Sequence, residues 1–247
     1  MKPTWFNIKK NFKILLLAIS LLLIKNGFPQ NSGFYKENLI KYNEAINYLT
    51  NNSWIIDSLC VYKCEPAFTI AIAFPEIIRY NSIQNLVETS ALEVLYVQYG
   101  KAFANFSIGR FQIKPSFAEN LEQDYLKLPI TLPYLKIHFN NKDNIYSRIE
   151  RLKRLSNDKW QLFYLYIFTE VLNYKYKAKT WKTKEEKLKF YATAYNTGYN
   201  KSEISIINES SKSRFYTTFI KSDKFYNYAS ISVEFYSNKR QSYNCHN

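Results

Sequence analysis

Glycine supplies the positive-φ turns of hairpins and the bare backbone that lies against phosphates, and this chain has only five glycines in 247 residues. They are Gly27, Gly33, Gly100, Gly109 and Gly198, and no two fall at the spacing of a GxGxxG dinucleotide turn, a Walker phosphate loop or a GxSxG nucleophile elbow. A β-sandwich would also need many short alternating runs joined by turn glycines, and the sequence has neither. The chain therefore reads as mainly α, in one principal domain whose 47% hydrophobic and 18% aromatic content suffices for a substantial core.

Apolar spacing places the helices. Residues 67–79 (AFTIAIAFPEIIR) are apolar almost throughout and suit a buried helix, which Pro75 should kink or restart. Leu86, Ser90, Val94 and Val97 recur every three to four residues, and Gly100 stands where a C′ glycine stops such a helix. Trp160, Phe163, Ile167 and Val171 share that spacing, and Leu188, Tyr191, Ala194 and Tyr195 repeat it more briefly before Gly198. Residues 127–148 look like an irregular excursion. The run Arg148, Arg151, Lys153 and Arg154 reads as a solvated helix face.

The N-terminus carries Lys2, Lys9, Lys10 and Lys13, then eleven residues from Ile14 to Ile24 dominated by Ile and Leu, then Lys25 and a turn-prone NGFPQNSG. A membrane-spanning helix needs roughly 20 apolar residues, so residues 1–30 read as a signal peptide, with an uncleaved anchor, and so membrane association, as the alternative. Residues 31–247 form the mature domain. The formal charge of +14 includes five lysines of this leader, which has no acid, so the remainder carries 29 basic against 20 acidic residues, or +9. Such a surface suits polyanions, among them an anionic cell-wall polymer. No nucleic-acid motif is present, and export argues against that partner.

Three cysteines, Cys60, Cys64 and Cys245, read as buried or incidental thiols, with a disulfide as the alternative that export would favour. His138 and His246 are the two histidines, and neither lies in a ligand or catalytic pattern, so metal, Ser/His and Cys/His chemistry are poorly supplied. No cofactor is indicated.

Two strings stand out, Ser107-Ile-Gly-Arg-Phe-Gln-Ile-Lys-Pro-Ser-Phe-Ala118 and Ala194-Tyr-Asn-Thr-Gly198. They resemble the G-L-M-Q-[IV]-x-P-x-T-A and A-Y-N-A-G signatures of the lytic transglycosylases and goose-type lysozymes, members of the lysozyme-like superfamily. Gly109 opens the motif, Phe111 takes the Met position, and Gln112, Pro115 and Ala118 match; Phe117 replaces Thr. The family's catalytic Glu ends an apolar helix upstream, and here that acid is Glu76, followed by Ile77 instead of Ser. The separations of 33 residues from Glu76 to Gly109 and 84 from Gln112 to Asn196 exceed the common pattern. A helix around 85–99 and the stretch 120–180 would then be helical insertions around a motif-bearing core at about 66–200.

The resemblance implies a lysozyme-like helical domain that cleaves the β-1,4 bond of peptidoglycan strands in a bacterial periplasm or envelope. In lytic transglycosylases the acid later acts as base, and the muramic C6 hydroxyl closes a 1,6-anhydro ring. Independently, an apolar setting such as Phe74, Ile77 and Ile78 favours the neutral carboxylic acid that protonates a leaving oxygen. Most glycosidases pair it with a second carboxylate, and no close partner is evident; Asp57, Glu88, Glu93 and Asp124 are the nearest in sequence. Ser107, Gly109, Phe111, Gln112, Tyr195 and Asn196 are the substrate-binding candidates: Gln112 to hold an N-acetyl or hydroxyl group, Tyr195 and Asn196 to bond Glu76 or the glycan, Gly109 for close backbone approach. Tyr80 and Tyr199 beside the motifs can stack on sugar faces. A lysozyme-type hydrolase and a catalytically silent glycan-binding envelope protein stay open.

Overall fold

A computed structural model describes residues 34–80, 82–129, 139–140, 142–217 and 224–245, with the backbone alone for 82–90. The leader 1–30 and both histidines lie outside the described residues. The chain divides into two units, 1–37 and 38–247. In the first, Phe34–Glu37 forms a single helical turn.

The second unit is mainly α: among its described residues there are ten helices and no strand. They are α1 (Leu39–Asn51), α2 (Trp54–Val61), α3 (Pro66–Arg79), α4 (Ser82–Tyr99), α5 (Pro115–Tyr125), α6 (Ile145–Leu155), α7 (Asp158–Lys175), α8 (Lys184–Thr197), α9 (Glu203–Ser210) and α10 (Tyr228–Lys239). None is long and apolar enough to cross a membrane.

Helix α3 is the centre. Every residue from Pro66 to Ile78 is buried, because α1, α2, α7, α8 and α10 pack around it. Pro66 starts it at a position where a missing N–H costs nothing. Pro75 lies inside the helix and begins no new one, although it leaves one carbonyl of the preceding turn without its donor. Packing on all sides outweighs that loss: Phe74 alone stacks on Phe235 of α10 at 3.9 Å and meets Tyr42 of α1 edge-on at 5.2 Å.

Helix α4 ends at Gly100 as the spacing predicts, and Arg148 donates to its last carbonyls, at 3.2 Å from Val97 O and 3.1 Å from Gln98 O. Polar caps set the other starts. Asn144 and Ser147 form a reciprocal capping box on α6, Asn157 caps α7, and Thr183 caps α8, whose first turn holds Glu185 and Glu186 at the positive dipole end.

Two expectations are corrected here. Helix α7, within the stretch read as an insertion, is part of the core, with Leu162, Leu165, Ile167, Phe168 and Leu172 fully buried. The basic run of α6 is not wholly solvated: Arg151 is buried among Glu119, Glu122 and Tyr96. Cys60 and Cys245 are joined in a disulfide, leaving Cys64 free. The spacing of Cys60 and Cys64 says nothing of a partner 185 residues away.

Candidate active site

The first motif folds as a tight turn. Ile108 and Ile113 pair through reciprocal backbone hydrogen bonds of 3.0 and 3.1 Å, and the four residues between them reverse the chain. Gly109 sits at φ +68°, and a Cβ there would stand 1.6 Å from Nε2 of Gln161. The glycine is required by that amide of α7. Gln161 in turn accepts from the Phe111 N–H at 2.8 Å and donates to the Leu155 carbonyl at 2.6 Å. From α8, the Tyr195 hydroxyl donates to the Phe111 carbonyl at 2.8 Å. Both polar groups of the Phe111 backbone are thus held while its ring is fully buried.

Gln112 follows with φ +53°, an uncommon conformation for a residue with a side chain. Its Nε2 donates to the Gly109 carbonyl at 2.8 Å, which stabilises the turn from within. Pro115 then opens α5 at a first-turn position. On the outer side, the Arg110 guanidinium lies 4.2 Å from the Tyr48 ring and 4.0 Å from that of Tyr80.

Facing the turn is the last turn of α3. Glu76 is 4% exposed, and burial raises its carboxyl above the ordinary range, against the opposing charges of Arg79 and Lys114. Arg79, three residues on, brings a guanidinium nitrogen to 2.6 Å from Oε2. That contact is an ion pair, and Nε of Arg79 has no hydrogen-bond partner among the described residues. The hydroxyls of Tyr195 on α8 and Tyr228 on α10 are raised well above their usual pKa by burial, with Glu76's charge adding to it. They stay neutral at physiological pH, and that of Tyr228 is buried without a hydrogen-bond partner among the described residues.

These elements enclose a cavity of about 940 Å³. Glu76, Ser107, Gln112, Tyr195 and Asn196 all line it, so five of the seven residues singled out from the sequence meet in one place. Gly109 and Phe111 do not line the cavity. They stand behind its wall, one making room for Gln161 and the other anchoring the turn in the core. Tyr195 bonds the Phe111 carbonyl rather than Glu76, and Tyr199, which does line the cavity, directs its hydroxyl to Asp124 at 2.9 Å. Tyr80 is taken by Arg110.

Sequence reasoning missed the cavity's cations, Arg79, Lys114 and Lys201, and the aromatic Tyr216. Arg79 was readable, since residues three apart share a helix face; Tyr216 and Tyr228 lie more than 135 positions from Glu76 and carried no local signal. Phe117, in the place of the family's Thr, lines the cavity and packs edge-on against Tyr195 at 5.3 Å and Tyr199 at 5.4 Å. Glu76 is the one acid among the described lining residues. No group of acids, histidines and cysteines among the described residues is arranged to hold a metal. No known family, curated protein or solved structure matches this chain.

The arrangement suits proton transfer. A buried carboxyl reaches an open polar cavity, the facing tyrosines are neutral, and amide side chains of Asn105, Gln112, Asn120, Asn196 and Asn200 offer both donors and acceptors.

Proposed function

We propose that the protein is an exported lytic enzyme of the lysozyme-like type that cleaves the β-1,4 bond of peptidoglycan, with Glu76 as general acid and then general base. The observation that carries this reading is the convergence of Glu76 with Ser107, Gln112, Tyr195 and Asn196, from three segments far apart in the chain, on one cavity. Protonated Glu76 gives its proton to the bridging oxygen as the C1–O bond breaks. The resulting carboxylate then takes the proton of the C6 hydroxyl while that oxygen bonds to C1, closing a 1,6-anhydro ring and returning Glu76 to its acid form.

One acid serves both steps, which fits a cavity whose described lining has no second carboxylate; a retaining hydrolase places its two carboxyls only about 5–5.5 Å apart. Arg79, Lys114 and Lys201 give the cavity a positive wall for an anionic polymer. The Cys60–Cys245 disulfide accords with an oxidising, extracytoplasmic setting.

A specific observation favours a second reading. The ion pair with Arg79 favours the ionised form of Glu76, which has no proton to donate, and a protein that only binds glycan needs none. Mass spectrometry of muropeptides released from purified peptidoglycan decides between them, with Glu76→Gln as control. Anhydro-ended products from the wild type alone support the lytic transglycosylase, reducing ends make it a lysozyme-type hydrolase, and no products from folded protein leave the binding protein.

A further inference from the structure

A general acid must hold its proton, and a guanidinium 2.6 Å away favours the ionised form instead. Burial and Arg79 therefore pull Glu76 in opposite directions. Burial is the stronger of the two, but Arg79, joined by Lys114 before α5, holds the carboxyl lower than burial alone would, while Tyr195 on α8 and Tyr228 on α10 are neutral. Proton donation becomes more favourable when Arg79 has another anion to bind.

Arg79 is placed to find one. It lines the cavity with its side chain 17% exposed, while its Nε is shut off from solvent and has no hydrogen-bond partner among the described residues. Its guanidinium lies 5.1 Å from the ring of Phe215 and 5.9 Å from that of Tyr216 at the cavity margin. A planar guanidinium with donors to spare takes a carboxylate through two parallel hydrogen bonds.

We propose that Arg79 is a substrate-sensing positioning residue: a carboxylate on the side arm of the bound glycan draws Arg79 off Glu76, and only then does Glu76 take up the proton it donates. The proton comes from solvent, and the arriving carboxylate stays ionised against the guanidinium, so charge balances. The inference rests on the glycan-cleaving reading and deepens it: the strand's own carboxylate, acting through Arg79, switches on the acid, so a neutral chitin-type polymer that enters the cavity is cut poorly. The carboxylate has two sources, the lactyl arm of a peptide-free strand or the acidic residues of an attached peptide.

Two measurements test it. In the first, the Glu76 carboxyl of the full chain is titrated by carbon NMR, alone and with N-acetylmuramic acid or N-acetylglucosamine. Muramic acid should raise the midpoint and the neutral sugar leave it, while Arg79→Gln should raise it without ligand and abolish the response. Equal effects of the two sugars, or an unmoved midpoint in Arg79→Gln, overturn the proposal. In the second, cleavage of peptide-bearing strands, peptide-stripped strands and chitin oligomers is compared. The wild type should prefer a carboxylate-bearing strand by about tenfold or more, the scale of one charged hydrogen bond, and in Arg79→Gln the rate on chitin oligomers should rise towards it.

Preference for stripped strands identifies the lactyl carboxylate, and preference for peptide-bearing strands alone identifies the peptide. Arg79→Lys, which keeps the charge but not the fork, should retain the ion pair and lose most of the preference; full preference in that variant counts against the proposal. A response to muramic acid without cleavage of any polymer would support the sensing contact while removing the lytic reading.

Discussion

The protein buries two ionic clusters of opposite character. Around Glu122, every acceptor is used: Oε2 receives Arg151 at 2.7 and 3.0 Å, and Oε1 receives Arg154 at 3.2 Å and the Tyr164 hydroxyl. Glu119 beside it takes Tyr96 at 2.7 Å and Lys101 at 2.9 Å. These contacts tie α4, α5, α6 and α7 together, and the space against them is about 30 Å³, the volume of a single water. Around Glu76 the pairing is incomplete, with Arg79 Nε and the Tyr228 hydroxyl unpartnered among the described residues, and Glu76 and Arg79 line a cavity of about 940 Å³. Both are buried charges, so burial alone does not mark a working site. An incompletely paired carboxyl and guanidinium in the wall of an open cavity make the better candidate, because folding leaves part of their pairing unmet.

The sharpest way to break that contrast is to neutralise each acid. Glu76→Gln should lower turnover on peptidoglycan by about 10³-fold, the usual range for a lost general acid, with thermal melting little changed. Glu122→Ala should do the reverse. It strands two guanidinium groups, at a cost of about 3–5 kcal/mol, so that melting falls by roughly 10 °C in a chain of this size while turnover of the protein that is still folded persists. Equal stability losses in the two variants would erase the distinction.

A smaller effect separates the turn from the helix stop. Gly109→Ala forces a Cβ into the Gln161 amide and adds positive-φ strain, which together should cost about 2–4 kcal/mol. Gly198, at φ +106°, leaves open space where a Cβ would stand, with nothing within 4 Å, so Gly198→Ala bears the backbone strain alone, about 1–2 kcal/mol. Denaturant midpoints measure both. A Gly109 variant no worse than the Gly198 variant would mean that Gln161 moves aside freely and does not brace the turn.

The same contrast explains what the sequence disclosed. Gln112, Tyr195 and Gly198 lie in short strings whose chemistry is local, and Glu76 stands at the end of an apolar helix, so the cavity's floor was legible. The mainly α architecture followed from glycine scarcity and from three-to-four spacing, as in Trp160, Phe163 and Ile167. Arg151 was misread because an arginine on an amphipathic helix looks solvated until the acids opposite, Glu119 and Glu122 on α5, are known. Cys245 and Tyr228 depend on contacts across 185 and 152 positions that no periodicity encodes. Phe111 was misassigned for a related reason: a motif position fixes a backbone shape, and whether its side chain faces the cavity or the core depends on α7 and α8.

The smallest expected effect concerns Lys114. Its charge opposes the burial that raises the Glu76 carboxyl, in the same direction as Arg79 but as the lesser of the two. For a general acid, kcat/KM falls as pH rises through its pKa, so a variant that raises that pKa moves the limb to higher pH. Lys114→Ala should therefore shift the limb upward, by less than Arg79→Gln does. Lys114 is exposed and its influence is open to screening, whereas the Arg79 contact is close and largely enclosed. Raising salt to 1 M, where the screening length is about 3 Å, should accordingly reproduce the Lys114→Ala shift in the wild type and add nothing to the variant. A limb that moves downward in Lys114→Ala would show that the lysine acts on the substrate rather than on Glu76, and the cluster around Glu76 would then reduce to Arg79 and the two tyrosines.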